Sequence, residues 1–180
     1  MRALFAALTV IACFFAVPSP SARALSAQIF PAVIDGPAAA QELLDLVNAL
    51  RAEHGVAPIE LSPVAGDVAL DRSIGLYQCD FCSFDHQIPT IGYAPNWEIT
   101  QIRGAIGAGE NLGVTLEPNE RFIQSLFDSW VASQTHLENL LRPQWTHMGL
   151  GVLEVEYRRG SSEKVVTQLF VMANGPLSRA

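Results

Sequence analysis

The chain has 180 residues, of which 49% are hydrophobic and 16% are charged, and its formal net charge is -7. This length suffices for one domain with a hydrophobic core and is short for two. The composition excludes a chain that is disordered throughout. Lys164 is the only lysine. An acidic chain without a cluster of basic residues is a poor partner for nucleic acid or for an anionic membrane surface, so we expect neither.

The first 24 residues are typical of an export signal. Arg2 provides a short basic region, residues 3–17 form an apolar run, and residues 22–24 form an A-x-A cleavage site. The apolar run is short for a membrane span, which takes about 20 residues. We therefore expect a signal peptide over residues 1–24, a secreted or periplasmic protein, and no transmembrane segment in the mature chain. Loss of Arg2 and Arg23 would move the net charge from -7 to about -9.

Two other interpretations of this segment stay open. One is an uncleaved membrane anchor. The other is a lipoprotein, because residues 10–13 (Val-Ile-Ala-Cys) resemble a bacterial lipobox. The apolar run continues beyond Cys13, where a lipoprotein normally turns polar, and the sequence therefore favours the ordinary signal peptide.

The cysteines are few. If Cys13 leaves with the signal, Cys79 and Cys82 remain, and an even count in an exported protein indicates a disulfide. The C-x-x-C spacing also occurs in redox motifs and as half of a zinc site. The chain has no second C-x-x-C, which excludes a four-cysteine zinc site within one chain.

Apolar periodicity predicts helices in the first part of the mature chain. Residues 25–37 are a short leader, and we expect one domain over 38–175. Apolar residues at helical spacing predict a helix over about 38–54 and a second one from Ser62 to about Tyr77.

Residues 78–118 show no clean period and are rich in Gly, Pro and Asn. A stretch of this length in a compact domain is usually functional or contains short elements. After it, apolar residues at helical spacing predict a helix that contains Trp130. Thr135 and Glu138 then form a capping box, which predicts a short helix that ends before Pro143.

The end of the chain predicts two strands. Apolar residues alternate over 148–157, with a change of phase that predicts a bulge near Gly151. Residues 165–173 form a second apolar strand, and a short connection between the two predicts an antiparallel hairpin. Helices followed by antiparallel strands indicate the α+β class.

Three residues stand out as candidates for chemistry: His86, Glu110 and His136. Two imidazoles and one carboxylate are suitable ligands for a first-row metal ion. Nothing in their spacing shows that they meet, and a single histidine is more often a hydrogen-bonded structural residue.

Five short motifs, in order, carry a resemblance to a known family. They are Leu44-x-x-Val47-Asn48-x-x-Arg51, His86, Gly109-Glu110-Asn111-Leu112, Trp130-x-x-Ser133-x-x-His136-x-x-Asn139-Leu140-Leu141 and Thr146-His147-Met148-Gly149-Leu150-Gly151. Over about residues 40–173 the chain resembles the bacterial branch of the CAP superfamily (cysteine-rich secretory protein, antigen 5 and pathogenesis-related 1 proteins), also called SCP-like proteins.

The resemblance implies a three-layer α-β-α sandwich with a small antiparallel sheet and a central cavity. In the family two histidines and two acidic residues line this cavity, and His86, Glu110 and His136 match three of these positions. The position of the second acid holds Ser133. The resemblance therefore implies a weak divalent-metal site made of His86, Glu110 and His136, with zinc as the expected ion.

The resemblance also implies a secreted binding module. Its ligand would be a small hydrophobic molecule such as a lipid or sterol, a divalent metal or an extracellular protein. The alternative is a hydrolase, a protease or esterase, that uses metal-bound water or Ser133, His136 and Glu110 as nucleophile, base and acid. The sequence has no G-x-S-x-G or H-E-x-x-H motif, and we expect binding rather than catalysis.

A third hypothesis makes Cys79 and Cys82 a redox exchange pair. The βαβ context of thioredoxin-like proteins is missing around them. We therefore expect a structural disulfide between these two cysteines.

Overall fold

The computed structural model of the chain describes residues 36–78, 84–88, 91–156 and 162–180. The predicted signal peptide, most of the leader and the predicted bond between Cys79 and Cys82 lie outside these residues. In the described ranges, no helix is both long enough and apolar enough to cross a membrane.

Helices and strands alternate irregularly along the described chain. In chain order the elements are α1 Gly36–Glu53, β1 Glu60–Leu61, α2 Pro63–Gln78, β2 Gln87–Ile88, β3 Gly92–Tyr93, α3 Ala94–Thr100, β4 Ile102–Thr115, α4 Phe122–Ala132, α5 Gln134–Leu140, β5 His147–Glu156 and β6 Ser162–Arg179. The two helices predicted first, α1 and α2, begin and end within two residues of their predicted bounds. Their amphipathic patterns are sufficient to define them because each helix buries one face.

The central sheet has the strand order β1-β5-β6-β4. β6 pairs antiparallel with both β5 and β4, and the two-residue strand β1 joins β5 in parallel. α2 packs on one face of this sheet, while α1 and α4 pack on the other. The predicted α+β class and three-layer α-β-α sandwich are confirmed. β2 and β3 form a separate two-stranded hairpin.

The contact between α2 and β5 explains the glycines of the Met148-Gly149-Leu150-Gly151 motif. A Cβ added to Gly149 would lie 2.1 Å from the backbone nitrogen of Gly66, and one added to Gly151 would lie 2.1 Å from that of Leu70. Such distances are far inside van der Waals contact. The two glycines therefore let the backbone of α2 rest directly on the sheet.

The bulge predicted near Gly151 is wrong. The register between β5 and β6 runs without a shift from His147, opposite Val171, to Glu156, opposite Ser162. Apolar residues occur in both phases of β5 because helices cover both faces of the sheet.

The unpredicted strand β4 fills much of the segment that showed no period. Its glycines hide the alternation, and they have a packing reason. A Cβ added to Gly109 would lie 2.7 Å from the Trp145 ring, and one added to Gly113 would lie 2.5 Å from Cδ2 of Leu126. Glycine at these positions lets Trp145 and α4 approach the strand.

The start of α5 differs from the prediction. Its N-cap is Ser133, in extended conformation with φ -101° and ψ 119°, and the helix begins at Gln134. The capping box assigned to Thr135 and Glu138 is therefore wrong, since both residues lie inside the helix. The expected end before Pro143 is confirmed, and His136 lies in the first helical turn as expected.

Candidate functional site

The three residues singled out in the sequence surround one cavity. His86, from the segment before β2, Glu110, on β4, and His136, on α5, all line a cavity of about 250 Å³. Ala108 and Gly109 of β4 also line it. The cavity therefore lies at the edge of the sheet, between the β2–β3 hairpin and α5.

Glu110 forms the buried charged centre of this site. Its carboxylate accepts two hydrogen bonds of 3.1 Å from Arg72 on α2, and it lies 2.9 Å from Nδ1 of His86. Burial alone would raise the pKa of Glu110, but the hydrogen bonds from His86 and Arg72, with the charge of Arg72, hold it below its ordinary value. Glu110 is therefore an anion whose charge Arg72 balances.

Arg72 also fixes the chain beside His86. Its second terminal nitrogen donates a 2.6 Å hydrogen bond to the backbone carbonyl of Asp85. Arg72 is only 4% exposed and lies on the buried face of α2 with Val68, Ala69 and Leu76. A charged residue in an apolar helical pattern was the sequence signal that could have identified it.

A second acidic side chain is present, but it is Glu98 on α3 rather than residue 133. Glu98 is fully buried, and its carboxyl group adjoins that of Glu110. Burial, and then the adjacent charge of Glu110, raise the pKa of Glu98 well above its ordinary value. The fold therefore favours the protonated, neutral form of Glu98. No local motif marks it in the sequence.

His136 lines the cavity and carries a polar atom without a partner among the described residues. Its Nδ1 is buried and has no hydrogen-bond partner within the described part of the chain. Burial, and then the charge of His86, lower the pKa of His136. The neutral ring that results can accept or donate one hydrogen bond, depending on its tautomer.

Ser133 lies apart from these groups. Its hydroxyl is 3.4 Å from the hydroxyl of Thr135 at the start of α5. Thr135 and His136 line the cavity, while Ser133 is not among the lining residues in the ranges that the structure describes. The structure thus brings together His86, Glu110 and His136 and leaves Ser133 at the junction of α4 and α5.

The predicted metal set of His86, Glu110 and His136 stays a prediction, and the contacts of Glu110 bear on it. No group of three or more His, Cys, Asp or Glu side chains in the described ranges is arranged to hold a metal ion. The Glu110 carboxylate already pairs with Arg72 and His86, and a divalent cation there would also be repelled by the guanidinium. The imidazoles of His86 and His136 are what remain for a metal, and zinc binding stays a prediction.

A second, apolar cavity lies on another side of the fold. It measures about 450 Å³ and lies between α1, α2 and β5. Pro37, Leu61, Leu70, Leu150 and Val152 are among its lining residues. Its chemistry differs from that of the first cavity, since hydrocarbon forms most of its lining and Asp67 is its one titratable lining residue among the described residues.

This chain resembles known proteins over most of the residues that the structure describes. Residues 44–171 match the cysteine-rich secretory protein family, CAP. A curated relative, the uncharacterized protein YkwD of Bacillus subtilis, is 27% identical over 133 residues, which are 73% of this chain and 46% of the relative. The chain thus spans less than half of that relative.

Solved structures agree with this match. An extracellular protein containing a SCP domain from Bacillus anthracis aligns with a TM-score of 0.57 and 27% identity, over 76% of this chain and 41% of that one. An outer surface protein from Borrelia burgdorferi aligns with a TM-score of 0.56 and 18% identity, over 74% of this chain and 92% of that one. The second likeness concerns the fold alone. By its sequence match and its fold, this chain belongs to the cysteine-rich secretory protein (CAP) family.

Proposed function

We propose that this chain is an extracellular binding module that receives its ligand in the cavity between His86, Glu110 and His136. One observation carries the proposal: His136 lines this cavity, and its buried Nδ1 has no partner in the described chain. A buried polar atom without a partner costs about 1–3 kcal/mol, and a ligand that pairs with it recovers this energy. Clefts with a few convergent polar groups are the usual form of ligand sites.

Three observations support the extracellular location. The family is that of cysteine-rich secretory proteins. The Bacillus anthracis relative, 27% identical, is described as an extracellular protein. The first 24 residues of this chain have the pattern of an export signal.

The charges around the cavity favour a ligand that forms hydrogen bonds. Arg72 balances the charge of Glu110, and the raised pKa of Glu98 favours its neutral form, so the buried acids contribute little net charge. The hydrogen-bond donors that line the cavity include the imidazoles of His86 and His136 and the guanidinium of Arg142, and the carboxylate of Glu138 also lines it. Such donors fit a ligand with a carboxylate or carbonyl oxygen.

The hydrolase alternative lacks the contact that it needs. A serine nucleophile requires a base within hydrogen-bond reach. The hydroxyl of Ser133 pairs instead with Thr135, and Nδ1 of His136 has no partner in the described ranges. A metal ion is a further class of ligand for this cavity. His86 and His136 would hold it.

A small hydrophobic ligand is the second candidate, and a different place in the fold favours it. The 450 Å³ apolar cavity between α1, α2 and β5 has the size and lining of a site for such a molecule. We propose it as the site for a lipid or sterol, separate from the polar cavity.

Both proposals can be tested by NMR on the ¹⁵N-labelled mature protein with a set of small carboxylates and amides. We expect the amide shifts that change to belong to residues around the polar cavity. His136→Ala should weaken binding by about 10-fold, or about 1.4 kcal/mol, and the control His54→Ala, at the exposed end of α1, should not. Equal affinity of wild type and His136→Ala would refute the cavity proposal. Shifts confined to the apolar cavity would favour the second candidate.

A further inference from the structure

The edge of β4 that faces away from β6 is the basis of a further inference. Within the described chain β6 pairs with one side of β4, and no strand pairs with the other side. Two carbonyls on this open edge are capped by side chains. Nδ2 of Asn139 donates to the carbonyl of Glu110 at 3.1 Å, and Nε1 of Trp130 donates to that of Leu112 at 3.0 Å.

These two hydrogen bonds show which residues of β4 point their backbone N–H and C=O groups away from β6. In an antiparallel strand the N–H and C=O of one residue point to the same side, and successive residues alternate. The register of β4 with β6 has no shift from Gly107 to Thr115. Ala108 is therefore in phase with Glu110 and Leu112, and its N–H and C=O point away from β6.

Ala108 lies beside the cavity, and its carbonyl, unlike those of Glu110 and Leu112, accepts no hydrogen bond from a described side chain. It is half-buried, and no side chain among the described residues forms a hydrogen bond with its backbone. An unpaired donor and acceptor on a strand edge form a template for another extended chain. Peptides that bind by strand addition use such edges, with pockets beside the edge for their side chains.

Two cavities adjoin Ala108. The polar cavity of about 250 Å³ contains His136, and a second one of about 360 Å³ is lined by Trp145 and Met172. Ala108 and Arg142 line both, so they form the boundary between the two. The guanidinium of Arg142 lies 5.2 Å from the centre of the Trp145 ring. The exposed side chain of Arg142 therefore places a positive charge at the boundary between the two cavities.

We propose that an extended peptide binds along this edge and pairs with the backbone of Ala108 as an added strand. It inserts one side chain into the cavity of His136 and another against Trp145, and carries an acidic residue opposite Arg142. A small ligand in the polar cavity would leave the second cavity unused. This inference rests on the proposed function, because it names the ligand class of the same cavity.

The experiment begins with random dodecapeptides displayed on phage and selected on the immobilised mature protein. Enriched peptides are synthesised, and their affinities are measured by fluorescence anisotropy. Ala108→Pro removes the outward N–H, and proline is tolerated on a strand edge where the N–H faces outward. We expect it to weaken binding by about 10-fold. The control Val114→Pro changes the same phase of the same edge, at a residue that is 44% exposed and lies outside both cavities. It should leave the affinity unchanged.

A scan of the peptide itself keeps the test independent of the folding of the protein variant. Single N-methyl groups placed along the selected peptide should weaken binding at every second position, because alternate amides of an added strand face its neighbour. A scan without this period of two overturns strand addition, as does a selection that enriches no peptide. Equal affinity of wild type and Ala108→Pro also overturns it. If His136→Ala still weakens binding in that case, the cavity proposal stands.

Discussion

The guanidinium of Arg72 on α2 and the carboxylate of Glu110 on β4 form a buried pair joined by two hydrogen bonds of 3.1 Å. Arg72 is 4% exposed, and the side chain of Glu110 is fully buried. The pair links the helix layer to the sheet directly beneath the cavity. It also holds the segment of His86 in place, because Arg72 donates to the carbonyl of Asp85.

Removing one partner of this pair should lower the free energy of unfolding much more than removing both. We expect Arg72→Met to lower the free energy of unfolding by about 3–5 kcal/mol, since it leaves a buried carboxylate uncompensated. The double variant Arg72→Met with Glu110→Leu should recover part of this loss. Urea unfolding followed by circular dichroism measures both. A loss below about 1 kcal/mol in the single variant would contradict the buried pair.

Glu98 should make the protein less stable as the pH rises. Its pKa is raised in the fold, so the folded protein keeps a proton that the unfolded chain releases above about pH 4.3. By linkage, its contribution to stability falls as pH rises from there toward the raised pKa. We expect Glu98→Gln, which stays neutral, to gain stability relative to wild type as the pH rises from about 4.3 toward the raised pKa of Glu98. Urea unfolding at a series of pH values measures this.

A constant difference between Glu98→Gln and wild type over that range would contradict a protonated Glu98. The contribution of Glu110 to stability changes with pH in the opposite direction. Its pKa is lowered, so its contribution is present above the ordinary value and is lost as the pH falls through the lowered pKa. Measurements above about pH 5 therefore separate the two acids.

The two glycines of β5 should be intolerant of any side chain. Gly149→Ala and Gly151→Ala each place a Cβ about 2.1 Å from the backbone of α2, and we expect each to lower the unfolding free energy by about 1–3 kcal/mol or more. The control is Gly75→Ala, inside α2, where an added Cβ meets nothing within 4 Å. It should raise stability by up to about 1 kcal/mol through helix propensity. Thermal unfolding of the three variants compares them, and tolerance of alanine at both β5 positions would refute the close approach.

Zinc binding, measured by calorimetry on the mature protein without a histidine tag, should be weak. Glu110 is engaged by Arg72 and His86, which leaves the imidazoles of His86 and His136 as ligands. We expect His86→Ala and His136→Ala each to abolish the binding, and His54→Ala to retain it. Imidazoles bind metals in the neutral form, so affinity should fall at acidic pH, and the lowered pKa of His136 moves its protonation below the ordinary value of about 6.5. Equal zinc binding by all four proteins would exclude a metal in this cavity.

The fold could be predicted where local patterns agree with tertiary packing. α1 and α2 each bury one face, and their apolar spacing shows it. β4 could not be predicted, because Gly109 and Gly113 stand where Trp145 and α4 pack against the strand. A glycine selected for close packing has no side chain to show on which face of a strand it lies.

The candidate site was predictable in part. The resemblance assigned His86, Glu110 and His136, and all three line one cavity. Arg72 interrupts an apolar helical face, which is a readable sign of a buried charge. Glu98 lies on a short helix in a segment without a period, and only the fold reveals that it adjoins Glu110.

The most direct test of the cavity proposal is a crystal structure of the mature protein with the tightest ligand from the carboxylate and amide set. We expect a ligand oxygen or nitrogen within about 3.2 Å of a ring nitrogen of His136, the distance of a hydrogen bond. Glu110 should keep its contacts with Arg72 and His86. A ligand located in the apolar cavity between α1 and α2, with none beside His136, would contradict the proposal.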